Sequence, residues 1–329
     1  MLLEIVHQTA LIYSAPVYES HVELRLTPLS DSSQRLLQHR QRVVPQRPLS
    51  QYVNFLGNTV STFSVLPAHD RIEITFESVV ETLPVRFRGH GLVDPAQPAP
   101  SETLGLFDFL CETPLTRSSD MFVDWMQQHD WLRGAPPLEA AENIRKSIHS
   151  SFRYEGDVTT SSSTIDDLLK HGAGVCQDFT HLMVAACRRL GLPARYVSGY
   201  VLPAGDGPQQ VESHAWCEVF DPVSGWFGMD PTHNDWADER HVRLGVGRDF
   251  RDVCPNRGVY RGQAEEVLQV SVLISPMKST ELSPIARPFL PQQRTQPGRA
   301  RQTRKAPPVT ILQQTLQTHY QQQQQQQQQ

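Results

Sequence analysis

The stretch Gly174-Val175-Cys176-Gln177-Asp178-Phe179-Thr180-His181-Leu182-Met183-Val184-Ala185-Ala186-Cys187-Arg188-Arg189-Leu190-Gly191-Leu192-Pro193 decides how this chain is read. Phe179, Leu182, Met183, Ala186, Cys187 and Leu190 recur at the i, i+3, i+4, i+7, i+8, i+11 spacing of one buried helical face, and Gly191 and Pro193 supply the stop. Cys176 stands just before that stripe, three and seven residues ahead of Phe179 and Met183, so its thiol points along the buried face from the first turn. The first N–H groups of a helix have no partner within it and carry the positive end of its dipole, which stabilises an anionic sulfur. The same N–H groups suit the oxyanion of a tetrahedral intermediate, so a cysteine there has the surroundings of a nucleophile. Cys187, in mid-helix on the same stripe, reads as core, and so does Cys217, which alternates with Ala215 and Val219. Cys111 and Cys254 have no context that assigns them a role.

A thiol nucleophile needs a base. With thirteen histidines a match by chance is expected somewhere, but His214 opens a strand, Ser213 to Phe220, after a flexible loop at 203–208. The chain turns at Asp221-Pro222-Val223-Ser224-Gly225 and returns as Trp226-Phe227-Gly228-Met229-Asp230-Pro231. A hairpin centred near Val223 places Asp230 opposite residue 215 or 216. Cross-strand neighbours at such offsets lie about 4.5–8 Å apart, close enough for a carboxylate to orient an imidazole. Pro231 ends the strand and leaves Asp230 at its rim. A buried histidine or a turn-opening aspartate would explain either residue alone. Together on one hairpin, downstream of a cysteine at a helix start, they point to a Cys176, His214, Asp230 triad.

Outward from this region the chain changes character twice. Residues 1–95 read as an antiparallel β-domain of the sandwich kind: 22–26 and 71–79 alternate apolar with polar, 59–65 is rich in β-branched residues, and Gly57-Asn58 marks a turn. A Pro-rich junction, Asp94-Pro95-Ala96-Gln97-Pro98-Ala99-Pro100, separates this domain from a core over 101–275. In that core Ala140, Ile144 and Ile148 predict a helix over 140–152. Ser163 with Asp166 predicts a capping box opening a short helix through Leu169, stopped by Gly172. From 276 to 329 the composition turns to Pro, Gln, Arg and Thr and ends in nine glutamines, a tail expected to be disordered. Its basic residues (Arg294, Arg299, Arg301, Arg304, Lys305) read as solvated linker. The predicted class is α+β.

The whole sequence, 329 residues with 39% apolar content, is ample for two domains with a real core. A formal net charge of −5 and a pI near 6.2 argue against nucleic-acid or membrane partners, and no apolar run approaches the roughly 18 residues of a membrane helix. Glu4 and His7 interrupt what a secretion signal would keep apolar. Five cysteines, an odd number without a C-x-x-C pair, fit reduced thiols, so a cytoplasmic location is expected. Metal ligation would have to recruit His171, Cys176 and His181, or His233, Asp235 and His241, whose spacings match no common template. No metal or other cofactor is expected.

Four blocks in order, Gly174 to Phe179, Gly191 to Tyr200, Ser213 to Trp216 and Gly225 to Thr232, resemble those of the bacterial transglutaminase-like proteins. Phe152-Arg153-Tyr154 and the Thr159 to Ser163 run fit the same family, and residues 1–95 resemble the small β-domain that precedes its core. The resemblance covers roughly residues 1–275. It implies a papain-like core in which Cys176 is the nucleophile, His214 the base and then the acid, and Asp230 the orienter of His214. Gly228-Met229 departs from the apolar pair expected before the aspartate. The implied chemistry is acyl transfer from a peptide or protein amide through a thioester, with water as acceptor in a cysteine protease or amidase. An amine acceptor would make a cross-linking transglutaminase, and a non-catalytic binding module that keeps the fold is the third reading. Cross-linking members use calcium sites in inserted loops; no D-x-D-x-D-G loop occurs here.

Overall fold

The computed structural model describes residues 1–84, 105–129, 136–205, 207–222, 225–278 and 303–304. The Pro-rich junction, the turn residues Val223 and Ser224, and the tail beyond 278 apart from 303–304 lie outside the described residues.

Five strands open the chain: β1 (Leu2–Leu24), β2 (Gln34–Val44), β3 (Ser50–Val53), β4 (Thr59–Val65) and β5 (His69–Thr82). Strand β1 is far longer than the 22–26 alternation predicted. Its inward positions include His7 and Thr9 between Leu3, Ile5, Leu11 and Tyr13, and two polar residues at core positions hide the alternation from a hydropathy reading. They are satisfied internally: the His7 ring bonds the Thr9 hydroxyl at 2.8 Å through Nε2 and the Tyr200 hydroxyl at 2.6 Å through Nδ1. Burial holds the His7 imidazole down at about 4, so it sits neutral in this network. Register shifts between Ile12 and Val17 and between Tyr18 and His21, with Glu19 at φ 50°, bend β1 from one sheet into another. Its first half pairs with β5 and its second half with β4, all antiparallel.

The core follows, with helices α1 (Asp120–Gln127), α2 (Pro137–Ser151), α3 (Ile165–His171) and α4 (Cys176–Arg189), and a short parallel pair, β6 (Arg153–Tyr154) with β7 (Ala173–Gly174). Then come β8 (Ala194–Val201), β9 (Gln209–Val211), β10 (Ser213–Asp221), β11 (Gly225–Asp230), β12 (Asp235–Trp236), β13 (His241–Gly247) and the single-turn α5 (Phe250–Val253). Five of these strands form an antiparallel sheet in the order β12-β11-β10-β8-β13, and α4 packs across β10 and β8. Helix α3 begins one residue later than predicted. The Ser163 hydroxyl is taken by the Thr160 N–H at 2.9 Å, so Thr164 becomes the cap, its N–H donating to Asp167 Oδ2 at 2.8 Å.

Helix α4 is buried almost all round, from Asp178 to Arg188, rather than on one face. The sheet covers one side; α2 and α3 cover the other with Ile144, Ile148 and Leu168. Polar residues stitch it in place. His181 Nε2 accepts the Phe250 N–H at 3.1 Å, and the Arg188 guanidinium donates to the carbonyls of Phe109, Cys111, Ala194 and Arg248. Each fully buried Leu, Met or Phe on this helix contributes about 1.5–3 kcal/mol.

Two strands that follow the core, β14 (Asn256–Arg261) and β15 (Glu266–Pro276), return to the N-terminal region and pair with the second and first halves of β1. Position in sequence groups 256–275 with the core, but hydrogen bonding groups it with β1. The N-terminal sheets are β2-β5-β1-β15-β9 and β3-β4-β1-β14, joined through β1; within the tail expected to be disordered, Thr303–Arg304 pairs antiparallel with Glu266 and Val267 of β15. Leu3, Ile5, Leu11, Phe76 and Val272 share one apolar cluster with Tyr200, Leu202, Val242 and Leu244 of the core sheet. At the edge strand β13, two side-chain amides act as strand surrogates. Gln34 bonds both the N–H and the carbonyl of Arg243 at 2.8 Å, and Asn58 does the same to Val246 at 2.8 Å. The architecture is an N-terminal antiparallel β-domain on a papain-like α+β core.

Candidate active site

Helix α4 starts where the sequence places it, and Asp178 fixes its first turn. Asp178 Oδ2 accepts the Val175 N–H at 2.8 Å and the Thr159 hydroxyl at 2.6 Å, while burial pushes this carboxyl above its usual range. Gly174 is required by that carboxylate: a Cβ there would stand 2.7 Å from Asp178 Oδ2. The next side chain, Gln177, donates to the Ser161 carbonyl at 3.2 Å, so the loop 159–162 is tied to the helix start from two sides. Cys176 is the first helical residue and is partly exposed, whereas Cys187 and Cys217 are fully buried and burial pushes the Cys217 thiol well up.

The hairpin carries the other two residues. Cys217 pairs with Met229 and Phe220 with Trp226, a register that continues to Trp216 opposite Asp230 and puts His214 diagonally across from the carboxylate. His214 Nε2 lies 2.7 Å from Asp230 Oδ2. Cys176 stands beside the His214 ring and favours its charged form, so the three predicted residues meet at one point between α4 and the β10–β11 hairpin. Burial works against a charged His214, yet the bond to Asp230 and the neighbouring Cys176 outweigh it and hold the imidazole up at about 9.

Asp230 is fully buried and saturated. Its Oδ1 accepts the N–H groups of Thr232 and His233 at 2.8 and 3.2 Å, and its Oδ2 accepts from His214 and from His233 Nδ1, each at 2.7 Å. Burial alone would raise this carboxyl; the hydrogen bonds from His214 and His233, with the His241 imidazole close by, more than reverse that and hold it far below the carboxylate range. His241, on β13, brings its Nε2 to 3.6 Å from Asp230 Oδ2 while its Nδ1 faces Asp238 at 3.0 Å. These contacts raise both His233, chiefly through its bond to Asp230, and His241, against its burial.

The sequence presents His233 and His241 as candidate metal ligands, and His233 with Asp235 as the substitute for the base and its orienter; it does not place either histidine, or Trp216, around Asp230. His233 reaches back from the turn after Pro231, and His241 arrives from a strand beyond β8, so spacing along the chain carried no signal for either. Of the residues weighed as metal ligands, Asp235 instead pairs with Arg240 at 3.5 Å, and His181 is enclosed in the α4 core. Trp216 explains Gly228. The indole lies against two glycines on neighbouring strands: a Cβ on Gly199 would stand 2.6 Å from it, and one on Gly228 would stand 3.3 Å from its Nε1 and 2.4 Å from Ala237 Cβ. The same ring stacks on His214 and meets His241 edge-on, so it fixes two members of the histidine cluster.

A cleft of about 1100 Å³ opens beside the loop 159–162, between Phe250 and Arg251 of the core and Tyr13 and Leu268 of the N-terminal sheets. Its loop wall is the segment anchored to Asp178 and Gln177 next to the thiol.

Comparison with known proteins follows the same division of the chain. The model of the transglutaminase-like superfamily matches residues 130–231, and that of the bacterial transglutaminase-like N-terminal region matches residues 3–81. An uncharacterized protein of Mycobacterium leprae is 31% identical over 282 residues, covering 83% of this chain and 98% of its own length. A protein-glutamine gamma-glutamyltransferase of Pseudomonas aeruginosa is 32% identical over 106 residues, which are 30% of this chain and 16% of that protein. Among solved structures, a protein of Cytophaga hutchinsonii described as a candidate cysteine protease superposes with a TM-score of 0.66 at 19% identity, covering 89% of this chain and 95% of that one. At that identity the likeness speaks for the fold.

Proposed function

This chain belongs to the bacterial transglutaminase-like proteins, and on that premise we propose that it is a thiol acyl-transfer enzyme acting on peptide or protein amides. The observation that carries the reading is His214, held between the Cys176 thiol on one side and the buried Asp230 carboxylate on the other. Cys176 sulfur attacks the amide carbonyl and forms the C–S bond. The oxyanion develops beside the N–H groups of Cys176 and Gln177, which at the first turn of α4 have no intrahelical acceptor. His214, charged as imidazolium, gives its proton to the departing nitrogen as the C–N bond breaks, leaving a thioester. Neutral His214 then takes a proton from water, whose oxygen attacks the thioester; the acid leaves and Cys176 is restored. Asp230 keeps the ring oriented and stabilises its charged form throughout.

Water is the first acceptor proposed. An amine acceptor is the second, supported by the local identity to the Pseudomonas aeruginosa gamma-glutamyltransferase. Glutamine-containing peptides incubated with the protein, with and without a primary amine, and read by mass spectrometry separate the two. Cleaved or deamidated peptide identifies the hydrolase; an amine adduct in preference to hydrolysis identifies the transferase. If neither product forms and no substrate-derived adduct appears on Cys176, the enzymatic reading fails.

A further inference from the structure

His241 is the loose end of the site. Its side chain is 4% exposed, and its Nε2 is buried without a hydrogen-bond partner, aimed at Asp230 Oδ2 from 3.6 Å. That is too long for a hydrogen bond. It is close to the separation of two ligand atoms in a tetrahedral zinc site, about 3.3 Å when metal–ligand bonds are about 2.05 Å. Around the same carboxylate oxygen stand His214 Nε2 and His233 Nδ1, and these two nitrogens and a carboxylate oxygen of Asp230 all lie within 4.8 Å of one another. Three imidazole nitrogens and one carboxylate oxygen are a donor set suited to zinc and its neighbours among the divalent transition metals. Two of the four positions are already rigid. Trp216 packs against both His214 and His241, and Asp238 meets the far nitrogen of His241 with its carboxylate at 3.0 Å and its backbone N–H at 3.1 Å. His233 is the adjustable ligand: its side chain is 56% exposed on the turn after Pro231, free to open the present 2.7 Å contacts to metal spacing.

We infer that His214, His233, His241 and Asp230 form a binding site for a divalent transition metal of the zinc class, and that an occupied site is a catalytically silent state of the protein. An ion there bonds the His214 nitrogen that now faces Asp230 and takes the carboxylate away from it. His214 then has no free position from which to accept a second proton, and the relay to Cys176 stops. Spacing along the chain concealed the site because its ligands come from β10, the end of β11, the following turn and β13.

The binding half of this inference is independent of the reaction proposed above; the silencing half rests on that reading. Cobalt(II), added to the metal-free full-length protein, serves as the spectroscopic stand-in. The expected result is one equivalent per chain with the intense visible bands of a tetrahedral site, displaced by zinc. Cys176→Ala should bind equally well, because the thiol is not a ligand. His233→Ala should weaken binding at least tenfold, and so should His241→Gln, which keeps a buried polar side chain of similar size. Absence of stoichiometric binding overturns the site, as does binding lost in Cys176→Ala but unchanged in His233→Ala. Turnover that persists with the site fully occupied overturns the silencing. Failure of the enzymatic reading looks different: cobalt binds as described, while no substrate is processed by the metal-free protein.

Discussion

Two carboxylates are buried in the β10–β11 region within one hairpin, and they are neutralised in opposite ways. Glu218, in the middle of β10, is gripped by Arg195 at 2.5 Å and Arg243 at 3.1 Å. Asp230, at the end of β11, is surrounded by His214, His233 and His241. Burial would raise both carboxyls, and both are nevertheless depressed by their cationic partners. The difference lies in the cations. Guanidinium keeps its proton at any pH the protein meets, so Glu218 belongs to a permanent strut between β8, β10 and β13. Imidazole exchanges its proton near neutrality, so the charge facing Asp230 can come and go within a reaction. Burying a carboxylate does not make a site reactive; the titratability of what faces it does.

The contrast breaks most sharply at the Asp230 end. Asp230→Asn preserves shape but removes the charge that stabilises the imidazolium, and turnover is expected to fall by about 10⁴. Steady-state kinetics on a reactive amide or ester substrate check this, and near-full turnover would move the orienting role elsewhere. Iodoacetamide is expected to label Cys176 ahead of the other four cysteines, read by peptide mapping, and His214→Ala should lose both turnover and that lead. The Glu218 end should respond in stability instead. Glu218→Gln leaves Arg195 without its carboxylate and Arg243 with Asp31 alone, and denaturant unfolding is expected to show a loss of about 3 kcal/mol. A loss below about 0.5 kcal/mol would mean the strut carries no weight.

Acidity separates the pair next. The His214 pKa rises on folding, from the ordinary 6.5 to about 9, so the stability it brings is complete below about pH 6.5 and is lost as pH rises through 9. Glu218 is depressed, so its contribution is present above the ordinary carboxylate range and is lost only in acid. Between pH 6.5 and 9 unfolding free energy should therefore drop by about 2.5 kcal/mol through His214, with no part of the drop from Glu218. The slope should flatten in Asp230→Asn and persist in Glu218→Gln. The smallest effect is expected from the tail. The named partners of both carboxylates lie at or before Arg243, so removing residues from 279 onward should change stability by less than about 0.5 kcal/mol. A larger drop in melting measurements would show that the tail docks.

The parts of this arrangement legible in the sequence were those encoded locally. Helix α4 follows from the period of Phe179, Leu182, Met183 and Ala186, and the hairpin centre near Val223 already brings Asp230 opposite residue 215 or 216, of which the register selects Trp216. Residues that reach the site from distant strands were not legible, because neither His241 on β13 nor Arg243 beside Glu218 has any periodic relation to its partner. Buried polar residues misled in a second way. His7 and Thr9 interrupt the alternation of β1, and they are tolerated inside only because they bond each other and Tyr200. The return of β14 and β15 to the N-terminal sheets was invisible for the same reason as His241: register between strands some 250 residues apart leaves no trace in either strand alone.

That return has a consequence during synthesis. One edge of β1 is filled early by β5, which follows within the first 82 residues, but the other edge waits for β15, Glu266–Pro276. At translation speeds of roughly 5–20 residues per second, the gap between the two events is about ten seconds or more. Throughout that interval the emerging chain presents an open β-edge running from Leu3 to Tyr13, a template on which another nascent copy could add a strand. The fold therefore places its greatest burden on the ribosome-bound stage of its life, and a chaperone that shields this edge would raise the yield of folded protein without altering its final stability.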